Sequence, residues 1–147
     1  MRGFAQPIVH RDEMMAFETT FTVAWGDCDP GGIVFYPRFF YWFDTTFQRW
    51  LQANQLSQAI LQDRYGIIGT GLIDTGATFK SPLRDGDVML VKASIANWST
   101  KSFRIDYVCS KDGAVSAEGY EVRGWFENIN GRLRSGAIPD EFRERLS

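Results

Sequence analysis

Two aspartates one residue apart, Asp27 and Asp29 in the run WGDCDPGGIVFYP at 25–37, are the side chains of this sequence best placed to do chemistry. Pro30 lacks a backbone donor and Gly31 and Gly32 release the chain into turns, so the run is a loop. A helix follows. Pro37 suits its first position, and Phe39, Phe40, Phe43, Phe47, Trp50 and Leu51 recur three and four apart, which predicts about four turns with a broad aromatic face. A carboxylate carried just ahead of a helix lies close to the unpaired N–H groups and partial positive charge of its first turn. Those N–H groups can hold a carbonyl oxygen as negative charge develops on it, while the carboxylate attacks the carbonyl carbon or activates a water to do so. A thioester suits such a site, because a thiolate leaves with little help from a proton donor. The same residues also fit turn and capping roles, and Asp27 is expected to keep one of these.

Other chemistries lack their parts. The single histidine, His10, falls in the polar N-terminal stretch, which leaves no positioned imidazole for a Ser-His-Asp or Cys-His arrangement. Cys28 and Cys109 lie too far apart for a CxxC motif, and Cys28 reads as a packing residue. Zinc lacks clustered ligands, and Asp27 and Asp29 are not followed by the remaining ligands of a calcium loop. No glycine-rich nucleotide cradle is present. No metal and no cofactor are therefore expected. A formal net charge of −2 and a pI near 5.4 argue against nucleic acid as a partner. No apolar stretch approaches the roughly 20 residues of a membrane span, and the first residues do not read as a signal peptide, so a cytoplasmic protein without membrane contact is expected.

The elements that position the loop read in order. Residues 1–16 form a leader and 17–147 a single domain. Phe17, Phe21, Val23 and Trp25 alternate as in a half-buried strand ending at Gly26. After the helix comes a Gly- and Ile-rich stretch at 66–78, then the turn SPLRDGD at 81–87 and a segment over 88–98. Strands are predicted over 102–110 and 115–129, joined by KDGA at 111–114, with a turn at 128–131 and a short helix in PDEFRERL at 139–146. One apolar-faced helix followed by a meander packs most simply with the sheet wrapped around the helix, an α+β layout of about five strands. Such a sheet leaves open edges, and pairing with a second copy is expected. Twelve Phe, five Trp and five Tyr allow a thick core, a subunit interface or a pocket for a flat ligand.

The segment WGDCDPGGIVFYPRFFYWFD, 25–44, resembles the signature of the 4-hydroxybenzoyl-CoA thioesterase family. GIIGTG at 66–71, SPLRDGD, WSTKSF at 98–103 and GRLR at 131–134 fall where that family has similar segments, so the resemblance covers most of 17–142. It implies a hot-dog fold, a homodimer that pairs into a homotetramer, and active sites between subunits. By the same resemblance Asp29 is the catalytic nucleophile or general base and the backbone N–H of Tyr36 is the oxyanion donor. Asp44 matches a helix aspartate near the acyl group, suited to a polar ring substituent, and Thr75 and Gly76 are strand candidates for the pocket. Lys101, Ser102 and Arg134 match positions that meet the phosphates of coenzyme A. Ser99 and Thr100 stand where the family has consecutive arginines, which predicts fewer or rearranged phosphate contacts. The expected substrate is a CoA thioester, an aryl-CoA such as 4-hydroxybenzoyl-CoA first, with a short aliphatic acyl-CoA as the alternative acyl class. A non-catalytic acyl-thioester binding module and a dehydratase are the competing functions.

Overall fold

The aromatic run after Pro37 forms the longest helix, α1 (Pro37–Ala53), in a computed structural model that describes residues 16–147. The expected leader, including His10, lies outside the described residues save for Ala16. Pro37 stands at the first helical position, and the buried face carries Phe39, Trp42, Phe43, Phe47, Trp50 and Leu51. Phe40, assigned to that face from its spacing, is only half-buried, and Trp42 takes its place. Burying each large side chain contributes about 1.5–3 kcal/mol, so the helix is held by its apolar face more than by intrinsic propensity.

Around α1 curls one antiparallel sheet. Its strands are β1 (Phe17–Thr22), β2 (Ile67–Phe79), β3 (Val88–Trp98), β4 (Ser102–Lys111) and β5 (Ala114–Ile129), in the spatial order β1-β3-β4-β5-β2. A sixth strand, β6 (Arg132–Ser135), pairs with the last residues of β5, so that Glu127 has Ile67 on one side and Arg134 on the other. Two further helices, α2 (Gln58–Tyr65) and α3 (Asp140–Leu146), complete the described residues. This is the hot-dog fold, with the five-strand path and the long helix that the pattern predicts. Among the described residues no helix is long and apolar enough to cross a membrane.

The inner face of the sheet carries Met89, Val91 and Ala93 of β3, Phe103, Ile105, Tyr107 and Cys109 of β4, and Ala117 and Trp125 of β5, all buried. Phe43 stacks on Tyr107 with ring centroids 4.7 Å apart. Gly119 lies under the same ring, where a β-carbon would collide with it.

β1 ends at Thr22, short of the predicted Gly26. The Asp27 side chain accepts the Ala24 N–H at 2.8 Å and winds Trp25–Asp27 into a 3-10 turn, which leaves Trp25 exposed.

Candidate active site

The 3-10 turn orients the loop that leads into α1. Asp27 is buried, and besides its bond to Ala24 it pairs with Arg38 in the first turn of α1 at 2.8 Å. Its carbonyl accepts the Phe35 N–H at 2.9 Å. The loop is therefore tied at both ends to the helix it precedes. Cys28 and Val34 form an antiparallel bridge, Val34 N–H bonds the Leu83 carbonyl at 2.9 Å, and the segment between them turns back on itself. Asp29 sits in this turn. Its N–H donates to the Ile33 carbonyl at 3.0 Å, its carbonyl accepts from Gly32 at 2.9 Å, and its Oδ1 accepts the Gly31 N–H at 2.8 Å. Among the described residues its Oδ2 has no partner.

Tyr36 caps α1. Pro37 has no N–H, and the N–H groups of Arg38 and Phe39 bond the carbonyls of Phe35 and Tyr36. The Tyr36 N–H has no partner among the described residues, which makes it the free donor at the positive end of a 17-residue helix. Asp29 and Tyr36 line one cleft of about 490 Å³, whose walls include Ile33, Phe39, Phe79 and Leu83. The Phe79 ring packs on Phe39 at 5.2 Å and on Tyr36 at 6.4 Å between centroids, so the wall is continuous and apolar. A carbonyl can there be bonded by an N–H while a carboxylate oxygen approaches its carbon.

The remaining predicted residues lie elsewhere in this chain. Asp44 is on the next part of α1 and accepts Arg123 Nη2 at 2.7 Å and Gln48 Nε2 at 3.2 Å on the same oxygen. The Thr75 hydroxyl donates to the Tyr120 carbonyl at 2.8 Å. Gly76 lies under the Tyr120 ring, in a groove that also holds Arg104, Asp106 and Glu118. Lys101 is exposed in the β3–β4 turn, Ser102 opens β4 half-buried, and Arg134 is exposed on β6. These last three gather at the end of the sheet away from Asp29. Lys80, beside the cleft, bonds Ser116 of β5, whereas the Lys101 carbonyl bonds Trp125, nine residues along the same strand. That is about 30 Å at strand rise.

A buried charged group escaped the sequence reading. Arg123 and Glu121 face inward from β5, with side chains 5% and 2% exposed. Arg123 joins Glu121 through Nε at 3.1 Å and Nη2 at 2.9 Å, and bonds the Thr70 carbonyl through Nη1 at 2.9 Å. The Tyr107 hydroxyl donates to Glu121. Burial by itself would lower the Arg123 pKa, but the charge and hydrogen bonds of Glu121, then Tyr107 and Asp44, raise it instead. Burial first, and the Glu121 charge second, push Tyr107 well above the usual phenol range. The signal was a pair of opposite charges two apart, at strand positions in register with apolar residues of β4. Among the described residues, no three of His, Cys, Asp or Glu are grouped as metal ligands would be.

A loop carboxylate and a free helix N-terminal donor share an apolar cleft of this hot-dog domain, and its relatives in sequence and structure make the chain a thioester hydrolase. The model of the thioesterase-like superfamily matches residues 23–146, and the chain belongs to that family. It is 28% identical over 133 residues to 4-hydroxybenzoyl-CoA thioesterase of Pseudomonas sp. (strain CBS-3), a match covering 85% of this chain and 93% of that one. A crystal structure of a 4-hydroxybenzoyl-CoA thioesterase mutant complexed with 4-hydroxybenzoyl-CoA superposes with a TM-score of 0.85 at 25% identity, over 90% of this chain and 99% of the other. A gentisyl-coenzyme A thioesterase structure is 30% identical, with a TM-score of 0.76 over 88% and 98% of the two chains.

Proposed function

We propose that this chain hydrolyses acyl-CoA thioesters, aryl-CoA esters such as 4-hydroxybenzoyl-CoA first among them, to the free acid and coenzyme A. The observation that carries the reading is the shared cleft of Asp29 and the unpartnered Tyr36 N–H. The thioester carbonyl oxygen accepts that N–H, and the helix dipole stabilises the charge that develops on it. Asp29 then acts through its free oxygen. As general base it takes a proton from a water whose oxygen attacks the carbonyl carbon. As nucleophile it forms a mixed anhydride that water opens. In either course the C–S bond breaks, the thiolate of coenzyme A departs, and an oxygen from water balances the products. The hydroxylated aryl groups named for two relatives support the aryl preference, and Asp44, Thr75 and Gly76 are the candidates to meet the acyl group.

Lys101, Ser102 and Arg134 serve the coenzyme A phosphates in this reading, and a second copy accounts for their distance from Asp29. β2 is a 13-residue edge strand with one side unpaired among the described residues, and Ile68, Leu72, Ile73 and Phe79 are exposed along it. Such an edge favours pairing. Two copies joined antiparallel through β2 would set the Phe79 end of one beside the Ile67 end of the other, and so bring one Asp29 toward the partner copy's phosphate-binding end. A homodimer, or a homotetramer built from it, is the functional unit on this view.

The test is thiol release from a panel of CoA esters, acetyl to palmitoyl with benzoyl and 4-hydroxybenzoyl, by wild type and Asp29→Asn. The expected result is turnover by wild type, fastest on an aryl ester, and a loss in the folded variant of at least about 10²–10⁴-fold. Equal turnover by the two proteins would remove Asp29 from the mechanism. A folded wild type that binds the esters and releases no thiol would return the chain to a binding role.

A further inference from the structure

Arg38 occupies an unfavourable position in α1. It stands in the first turn, where the helix dipole disfavours a cation, and no acidic residue accompanies it there. Its Nε is buried without a hydrogen-bond partner, the one such side-chain nitrogen or oxygen among the described residues. Neither helix stability nor its own hydrogen bonding accounts for the residue. What it does meet is Asp27, through Nη2 at 2.8 Å. Tyr41 and Trp42, three and four residues on, flank the guanidinium, with ring centroids 4.7 and 6.0 Å from its Cζ. The cation is thus held on its own helix and aimed at the loop.

Asp27 needs a counter-charge for a reason beyond its burial. Its Oδ2 accepts the Ala24 N–H, and Arg38 is the one cation paired with it among the described residues. Its carbonyl accepts the Phe35 N–H, and the next N–H along the chain is that of Tyr36, the free donor in the cleft. Left unpaired, Asp27 would set a second negative charge next to the donor on which an oxyanion has to form. The uncharged thioester of the ground state would feel that charge little. The transition state, with negative charge on the carbonyl oxygen, would feel it strongly. With Arg38 in place, Asp27 shapes the loop through Ala24 and Phe35 while the ion pair as a whole stays neutral.

We infer that Arg38 is a positioning residue of the reaction, cancelling the charge of the loop-shaping Asp27 so that Asp29 alone brings a negative charge to the Tyr36 N–H. Arg38 does not line the cleft and acts through Asp27. The inference rests on the thioesterase reading of that cleft. It is tested by kcat and KM on the fastest ester of the acetyl-to-palmitoyl, benzoyl and 4-hydroxybenzoyl panel. The proteins are wild type, Asp29→Asn, Arg38→Met, Arg38→Lys, Asp27→Asn and the Asp27→Asn/Arg38→Met double variant.

Arg38→Met should lower kcat by about tenfold or more, the scale of one unit charge acting over several ångströms at an effective dielectric of about 20. KM should stay within about twofold, since the interaction is made only in the transition state. Arg38→Lys keeps the charge without the planar fork and should hold kcat within about threefold of wild type. Asp27→Asn should lower kcat by no more than about threefold, through the slackened loop. Added to Arg38→Met, it should raise kcat at least about threefold, because the unpaired charge is gone. Arg38→Gln, which offers Asp27 a donor and no charge, carries the comparison should Arg38→Met fail to fold, and should be as slow.

An Arg38→Met protein as fast as wild type overturns the inference. So does a double variant no faster than Arg38→Met, which would make the ion pair a mechanical tie only. Equal losses in Arg38→Lys and Arg38→Met overturn it as well, since the fork and not the charge would then matter. In all three cases the thioesterase reading stands while Asp29→Asn abolishes turnover. Unchanged turnover by Asp29→Asn would instead strike that reading itself.

Discussion

Replacing Gly119 by alanine measures how closely α1 is seated on the sheet. Gly119 lies on β5 between Ala77 of β2 and Tyr107 of β4. A β-carbon added there would stand 2.9 Å from the Gly76 carbonyl oxygen and closer still to the edge of the Phe43 ring. The carbonyl belongs to β2 and moves only with the strand, and the ring is stacked on Tyr107. The methyl group therefore has to displace Phe43 and with it the middle of α1. Overpacking of this kind costs about 1–3 kcal/mol, and contact with backbone as well as ring places Gly119→Ala at about 2–3 kcal/mol. At about 2.1 cal/mol/K per residue, 147 residues give an unfolding entropy near 0.3 kcal/mol/K, so the melting temperature should fall by about 6–10 °C. Calorimetry at one fixed protein concentration reads the shift without interference from subunit association. Phe43→Leu is the control, because it removes the colliding ring edge. In that background Gly119→Ala should cost about 1 kcal/mol less than in wild type, the contact with the Gly76 carbonyl remaining. A shift below about 2 °C, or one of equal size with and without the Phe43 ring, would refute the packing argument.

The loop and the termini give further expectations. Asp27→Ala removes a bond to Ala24 and an ion pair to Arg38; it should cost about 1–3 kcal/mol by chemical denaturation and lower kcat, although Asp27 does not line the cleft. Burial pushes the Cys109 thiol from 9.0 up to about 12. Because its folded pKa is raised, the stability it contributes is complete below the unfolded value and is lost as pH climbs from one value to the other. Native protein at neutral pH should thus titrate one thiol with a disulfide reagent, Cys28, and both only in denaturant. The hydrogen bond from Tyr65, with Arg64 and Arg145 nearby, holds Glu141 below its ordinary range. That stability is present above the unfolded value and is lost as pH falls through the folded one. Acid should therefore loosen α3 early, seen in the fluorescence of Trp98 and Trp125 that pack on Phe142, and Glu141→Gln should blunt the effect.

Much of this was legible in the residues, for reasons that differ by element. The helix and the strands over 102–111 and 114–129 show their periods plainly, because each buries one face. α2 was missed, since SQAILQDRYG has one buried apolar residue, Leu61, and little periodicity to read, although Ser57 caps its start and Gly66 closes it in the left-handed region. β6 was missed because all four of its residues are exposed; its only signal was the turn before it, where Asn130 and Gly131 both take positive φ. In the site, Asp29 and Tyr36 belong to one short segment and could be paired by reading along it. Asp44 with Arg123, 79 residues apart, depends on the register between α1 and β5, which no local pattern encodes.

The bonds that shape the reactive turn are nearly all local. Asp29 bonds Gly31, Gly32 and Ile33, and Asp27 reaches back to Ala24 and forward to Arg38. The orientation of the carboxylate is thus settled within some fifteen consecutive residues, whereas the far wall of its cleft, Phe79 and Leu83, comes from the end of β2 and the turn after it. On the proposed reading, reaction and selectivity are written in partly separate stretches of the chain. Substitutions in the second can change what is cleaved without altering how cleavage is done, so a lineage built on this arrangement is free to drift from one thioester to another while its chemistry stays fixed.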